Sequence, residues 1–163
     1  RLARQVSKVP QSLHERLDPL DVVYCRFPDE GWPDPAPKPR PALVLNVNDE
    51  SVPQRVEVAY GTSQRTRNKY AGEFELAPRD GAVFRRAGLT VETKFDLGRT
   101  VWLPYNDRWF TPPPAVPRAA TPKLGTLDLA ADHAIKRRFV AAAMAAGVLD
   151  EERPNADNGK ITE

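Results

Sequence analysis

An arginine at the mouth of one apolar run and a hydroxyl pair at the exit of the next are the residues of this chain best suited to chemistry. Lys38-Pro39-Arg40-Pro41 leads into Ala42-Leu43-Val44-Leu45. Val58-Ala59-Tyr60-Gly61 ends on Thr62-Ser63-Gln64, with Thr62 22 positions after Arg40. If the two runs pair as antiparallel strands, the guanidinium and the hydroxyls reach one end of a sheet, where together they can grip a phosphodiester. RNA cleavage by its own 2′-hydroxyl needs a base at that hydroxyl, charge stabilisation on the phosphorane oxygens and an acid at the leaving 5′-oxygen. An arginine is planar and stays protonated, so Arg40 serves first as a bidentate phosphate clamp, and Thr62 as a donor to a non-bridging oxygen. The plain structural alternatives are an Arg40 paired with Asp21 or Glu57 and a Thr62 that only turns the chain after Gly61. Ser63 would share the site only if the strand bulges, because successive strand side chains face opposite ways.

Other candidates surround this pair. Gln64, Arg65, Arg67 and Lys69, followed by Tyr70, form a basic loop that can track a phosphate backbone and stack a base; a solvated loop is the competing reading. Lys38 adds a second cation at the strand mouth, and Trp32, in the preceding loop, is placed to stack on a splayed base. Trp102 reads as core, and Trp109-Phe110 as the cover of a barrel end or a contact with a second subunit. His14 and His133, the only histidines, are far from the pair in sequence. With scattered carboxylates and no Gly-rich phosphate loop, no metal site or cofactor is expected. Cys25, the single cysteine, lies in an apolar run and reads as a small buried hydrophobe rather than a nucleophile.

The elements that must hold these groups are short. At 163 residues, 40% hydrophobic and 28% charged, the chain suits one globular domain with its own core. Net charge is only +2, so any polyanion site depends on local clustering. No apolar run approaches the roughly 18 residues of a membrane span, and Arg1-Leu2-Ala3-Arg4-Gln5 has neither a signal-peptide core nor a Met; a cytoplasmic protein whose own start lies upstream is expected. Seventeen prolines chop the chain into short strands and stiff loops. Strands are expected at 21–27, 41–48, 55–60, 73–76, 91–96 and 100–104, with a helical turn at 82–87. Residues 28–39 form a Pro-laden loop of the kind that is more often functional than neutral. A helix is expected over 128–146, capped by Asp128, ended by Gly147 and striped by Leu127, Ala131, Ile135, Phe139, Ala142 and Ala146; Lys136, Arg137 and Arg138 fall on its solvated side. A short helix near 12–17 and a loose tail over 153–163 complete the reading. The fold class is mainly β with a terminal helix: a small, strongly curved barrel. Its organisation is an N-terminal extension (1–19), a barrel domain (20–147) and a polar tail (148–163).

The order of Asp21-Val22-Val23…Phe27-Pro28, Lys38-x-Arg40-Pro41-Ala42-Leu43-Val44-Leu45, Thr62-Ser63-Gln64 and Lys123-x-Gly125-x-Leu127 before a last helix resembles the MazF/PemK (Kid) family, the mRNA-cleaving toxins of type II toxin–antitoxin modules. The resemblance spans about residues 20–147. It implies an SH3-like barrel of the plasmid-maintenance-toxin type with a C-terminal helix, a homodimer, a cognate antitoxin protein as partner, and growth inhibition through metal-independent cleavage of single-stranded RNA. It places the catalytic roles on Arg40 and Thr62, with products bearing a 2′,3′-cyclic phosphate and a 5′-hydroxyl. Leu20 stands where the family usually has glycine before the first-strand acid.

Overall fold

The computed structural model describes residues 15–115 and 121–148. Six strands form one sheet: β1 (Asp21–Cys25), β2 (Arg40–Asn48), β3 (Arg55–Thr62), β4 (Glu73–Leu76), β5 (Thr93–Pro104) and β6 (Lys123–Thr126). Their order is β4-β5-β3-β2-β1-β6, and every pair is antiparallel. A short helix α1 (Ala82–Arg86) lies between β4 and β5, and α2 (His133–Ala145) closes the described chain. The result is mostly antiparallel β, a sheet curled into a half-barrel, with a C-terminal helix. No helix among the described residues is long and apolar enough to cross a membrane.

The curl follows from where apolar side chains go. Consecutive residues of β1 and β2 serve different cores, which is why β2 is apolar without alternation. Val22 and Leu43 join Phe74, Phe95, Ile135 and Phe139 between sheet and helices. Val23, Ala42 and Val44 join Val58, Leu103 and Phe110 on the other face. Fully burying one such side chain is worth roughly 1.5–3 kcal/mol, so covering both faces is what holds so short a set of strands together.

Instead of the two strands expected at 91–96 and 100–104, β5 is a single bent one. Ala59 pairs with Thr100 while its neighbour Tyr60 pairs with Asp96, so one step along β3 spans four along β5. The surplus residues Leu97, Gly98 and Arg99 form a bulge, held by Leu97 N–H to Gly72 O at 3.0 Å and Gly98 N–H to Asp96 Oδ1 at 2.9 Å. A bulge of this kind bends and twists its strand, here enough to carry the sheet round a corner.

Other expectations change in detail. Lys123–Thr126, not expected as a strand, is β6; its Gly125 passes so close to α1 that a Cβ there would lie 2.1 Å from Arg86 O. The last helix starts later than expected: Leu129–Ala131 is a 3₁₀ turn, and the cap is Asp132, whose Oδ1 accepts from Ala134 and Ile135 N–H at 2.9 and 3.1 Å. Asp128 instead pairs with Arg86 at 2.7 Å. Ala131 is exposed and Ala143 takes its expected place in the core. Gly147 ends the helix at φ +76°, its N–H reaching Met144 O and that of Val148 reaching Ala143 O, a Schellman motif. Arg138 is not simply solvated: it pairs with Asp80 at 3.0 Å and covers the Phe74 ring. Trp102 is exposed rather than core, since period two gives the inward face to Val101 and Leu103. Trp109 and Phe110 are buried in the second core, and Phe110 bridges to Cys25.

Ahead of β1 the chain is clasped to the β2–β3 hairpin. Leu17 is buried, its N–H and C=O both bonded to the Gln54 side chain (3.3 and 3.0 Å), and the Tyr105 hydroxyl donates to Glu15 O at 2.7 Å. His14, the expected tail at 153–163 and the first half of the expected helix near 12–17 lie outside the described residues, and residues 15–17 are not helical.

Candidate functional site

The strand mouth around Arg40 is fixed by its own sequence. Pro39 and Pro41 lock φ on either side, and a residue before proline is held extended, so Arg40 enters β2 with little backbone freedom to lose. Across the hairpin, Gly61 allows the close approach that completes the site. A Cβ at Gly61 would sit 2.1 Å from Pro41 O, so no other residue lets β3 lie this near to β2. Ala42 pairs with Tyr60, and continuing that register two residues sets Arg40 level with Thr62.

Arg40 and Thr62 line one cleft of about 370 Å³, together with Lys38 and Ser63. Its walls are the loop Gly88-Leu89-Thr90-Val91 after α1 and the segment Pro113-Pro114-Ala115; Leu124 of β6 and Tyr24 of β1 also face it. Gly88 turns the first wall at φ +73°. β3 ends at Thr62, so Ser63 escapes strand alternation and shares the cleft. Gln64 N–H donates to Thr62 Oγ1 at 3.1 Å, which fixes the hydroxyl oxygen and leaves its proton to donate outward.

The charge balance of this cleft is one-sided. Its lining holds two cations and the hydroxyls of Tyr24, Thr62, Ser63, Thr90 and Thr93, and no carboxylate, histidine or cysteine. Thr93 is spent on Val91 O at 3.0 Å. Arg40 makes neither of the pairings open to it: Asp21 accepts from Thr126 Oγ1 at 3.0 Å and meets Lys123 at 3.3 Å, and Glu57 binds Asn46 and Thr100. Neither Arg40 nor Lys38 has an ion-pair partner among the described residues. Two cations without ion-pair partners beside hydroxyl donors are suited to holding an anion.

The remaining sequence-derived candidates scatter. Gln64 and Arg65 turn into an adjacent cleft of about 320 Å³, which Thr62 also lines. Lys69 is held by Glu75 at 2.8 Å, away from Arg40. Burial pushes the Glu75 carboxyl up, but the hydrogen bond and charge of Lys69 and the charge of Arg79 outweigh it and hold it below the usual range. Arg67 is exposed and lines neither cleft. Trp32 is 68% exposed on a loop tied down by Arg108–Asp34 at 2.8 Å and does not reach the first cleft. Cys25 is fully buried, and burial pushes its thiol far up, so it is no nucleophile. His133 is exposed at the start of α2, away from both clefts.

The chain matches no family model and no curated protein. Its functional reading therefore rests on the geometry and on the motif order. Tyr24, Thr90 and Thr93 escaped the sequence reading. The long loop 28–39 sets no register between β1 and β2, so nothing in the sequence alone shows that Tyr24 faces Pro41.

Proposed function

We propose that this chain is a metal-independent endoribonuclease of the MazF/PemK toxin type, an SH3-like barrel that cleaves single-stranded RNA. The observation that carries the reading is a carboxylate-free cleft in which Arg40 and Thr62, the two residues the motif resemblance assigns to catalysis, stand together with Lys38. In this mechanism the Arg40 guanidinium holds the scissile phosphate and offsets charge growing on the phosphorane oxygens, while Thr62 donates to a non-bridging oxygen. The 2′-hydroxyl attacks phosphorus and the P–O5′ bond breaks, giving a 2′,3′-cyclic phosphate and a 5′-hydroxyl. Leu20 adds support: where the family usually carries glycine, its backbone lies at φ +73°, the left-handed region glycine favours. A homodimer, a cognate antitoxin and growth inhibition in the cytoplasm belong to the same proposal; sedimentation of the purified protein tests the first and induced expression the last.

A second reading has an observation of its own. With no imidazole or carboxylate in the cleft, a general base is missing there, as in a silent RNA- or protein-binding module on the same fold. Incubation with a long single-stranded RNA in EDTA, beside Arg40→Ala and Thr62→Ala, separates the two. The enzyme reading predicts cleavage by the wild type, 5′-hydroxyl ends, and loss of cleavage in both variants. Cleavage that survives both substitutions, or 5′-phosphate ends, overturns it; RNA binding without cleavage supports the silent module.

A further inference from the structure

Beside the anion cleft lies a second one of different character, and the two meet at Thr62. Cross-strand pairing builds it from two adjacent rows on one sheet face: Thr62 and Lys94, then Tyr60, Asp96 and Glu73. Gln64, Arg65 and Arg99 complete the lining. Unlike its neighbour, this cleft carries carboxylates. Glu73 is neutralised: its buried Oε2 forms an ion pair with Lys94 at 2.5 Å, and Lys94 also donates to Asn68 O at 2.6 Å. Asp96 is only half spent. Its Oδ1 accepts from Gly98 N–H at 2.9 Å, and its Oδ2 takes no hydrogen bond among the described residues. The Arg99 guanidinium carbon lies over the Tyr60 ring, 4.1 Å from its centre, and 5.5 Å from the centre of Phe27, which meets Tyr60 edge-on. A guanidinium backed by a ring is a rigid stacking surface.

From this we propose that the second cleft is a nucleobase subsite, selective for a base whose edge presents two N–H donors, guanine above all. The proposal rests on the reading of the first cleft as an RNA phosphate site, and extends it to sequence selection. A carboxylate with an open oxygen beside a stacking plane favours a base that can donate to it and disfavours uracil, which sets carbonyl oxygens on either side of a single N–H. The amide of Gln64 can meet the remaining base acceptor. Because Thr62 lines both clefts, a nucleotide with its phosphate on Arg40 can place a neighbouring base against Arg99 without leaving the surface. Asp96 and Arg99 are thus specificity residues, not catalytic ones.

The test is binding of short single-stranded RNAs that differ at one position (G, A, C or U), measured for the wild type, Asp96→Asn and Arg99→Gln. Asparagine keeps an acceptor for Gly98 N–H, and circular dichroism and melting check that both variants fold. The wild type is expected to favour the G oligonucleotide over U by about tenfold or more, the discrimination of one bidentate base contact. Asp96→Asn should flatten that ratio, the G oligonucleotide losing its advantage over U; Arg99→Gln should weaken all four. A base preference unaltered in Asp96→Asn, or a wild type that binds RNA with no preference, overturns the subsite and leaves the phosphate site standing. A wild type that binds none of the RNAs overturns both.

Discussion

Arg40 is the side chain whose loss should separate chemistry from folding. Having no ion-pair partner among the described residues, it leaves no buried charge orphaned when removed. Arg40→Ala is therefore expected to shift unfolding free energy by less than about 1 kcal/mol, while RNA cleavage falls about 10²–10³-fold, the scale of one lost transition-state donor; urea melts and cleavage assays on the same samples check both. Glu75 behaves in the opposite way. It is buried between Lys69 and Arg79, at 2.8 and 2.6 Å, and its carboxyl titrates below the usual value of 4.5. A depressed carboxylate binds its proton more weakly folded than unfolded, so its stabilisation is present above pH 4.5 and is lost as pH falls through the folded value. Glu75→Gln should cost about 1–2 kcal/mol at pH 7, discounted because both cations are partly solvated. The gap to wild type should narrow in melts taken at successively lower pH below 4.5. The residue scale was partly legible: Arg40, Thr62 and Lys38 stand out by type beside prolines, whereas Asp96 and Arg99 look like any charged strand residues until register places them.

Among the elements, the β2–β3 hairpin carries the site, and its tightest point is Gly61. Gly61→Ala drives a methyl to 2.1 Å from the Pro41 carbonyl oxygen, where backbone cannot yield locally. A destabilisation of about 3 kcal/mol, with loss of RNA binding beyond what the melt explains, is the expected outcome; thermal melts and binding at a temperature where the variant is fully folded check it. Strand existence was legible for β1 to β5, because β-branched runs bounded by Pro and Gly leave few alternatives, but not for β6, whose Lys-Leu-Gly-Thr has no such pattern. What periodicity could not show was the bend in β5. Gly98 looks like a turn between two strands, and only pairing to both β3 and β4 reveals one strand with surplus residues. The helix starts later than the pattern suggests for a related reason: Asp128 and Asp132 both precede apolar positions, and competition from Arg86 for Asp128 is a tertiary event.

For the whole molecule, a net charge of +2 conceals a cleft that is purely cationic. Binding to single-stranded RNA should therefore weaken steeply with salt. Lys38→Gln should flatten the log–log slope by about 0.7, the value of one released phosphate counterion on a single strand; titrations across a salt series measure it, and an unchanged slope removes Lys38 from the phosphate path. Another consequence sits at the far side of the molecule, in the clasp on Leu17. Arg16 is an exposed basic residue paired with Asp49 at 2.7 Å, an obvious target for trypsin by sequence, yet the next residue is buried and bonded on both sides. A protease needs about that stretch of backbone extended and free, so it can cut after Arg16 only when the clasp opens. Proteolysis there should be slow and should speed up in Gln54→Ala, turning a digestion rate into a gauge of how firmly the lead-in strap is tied to the hairpin.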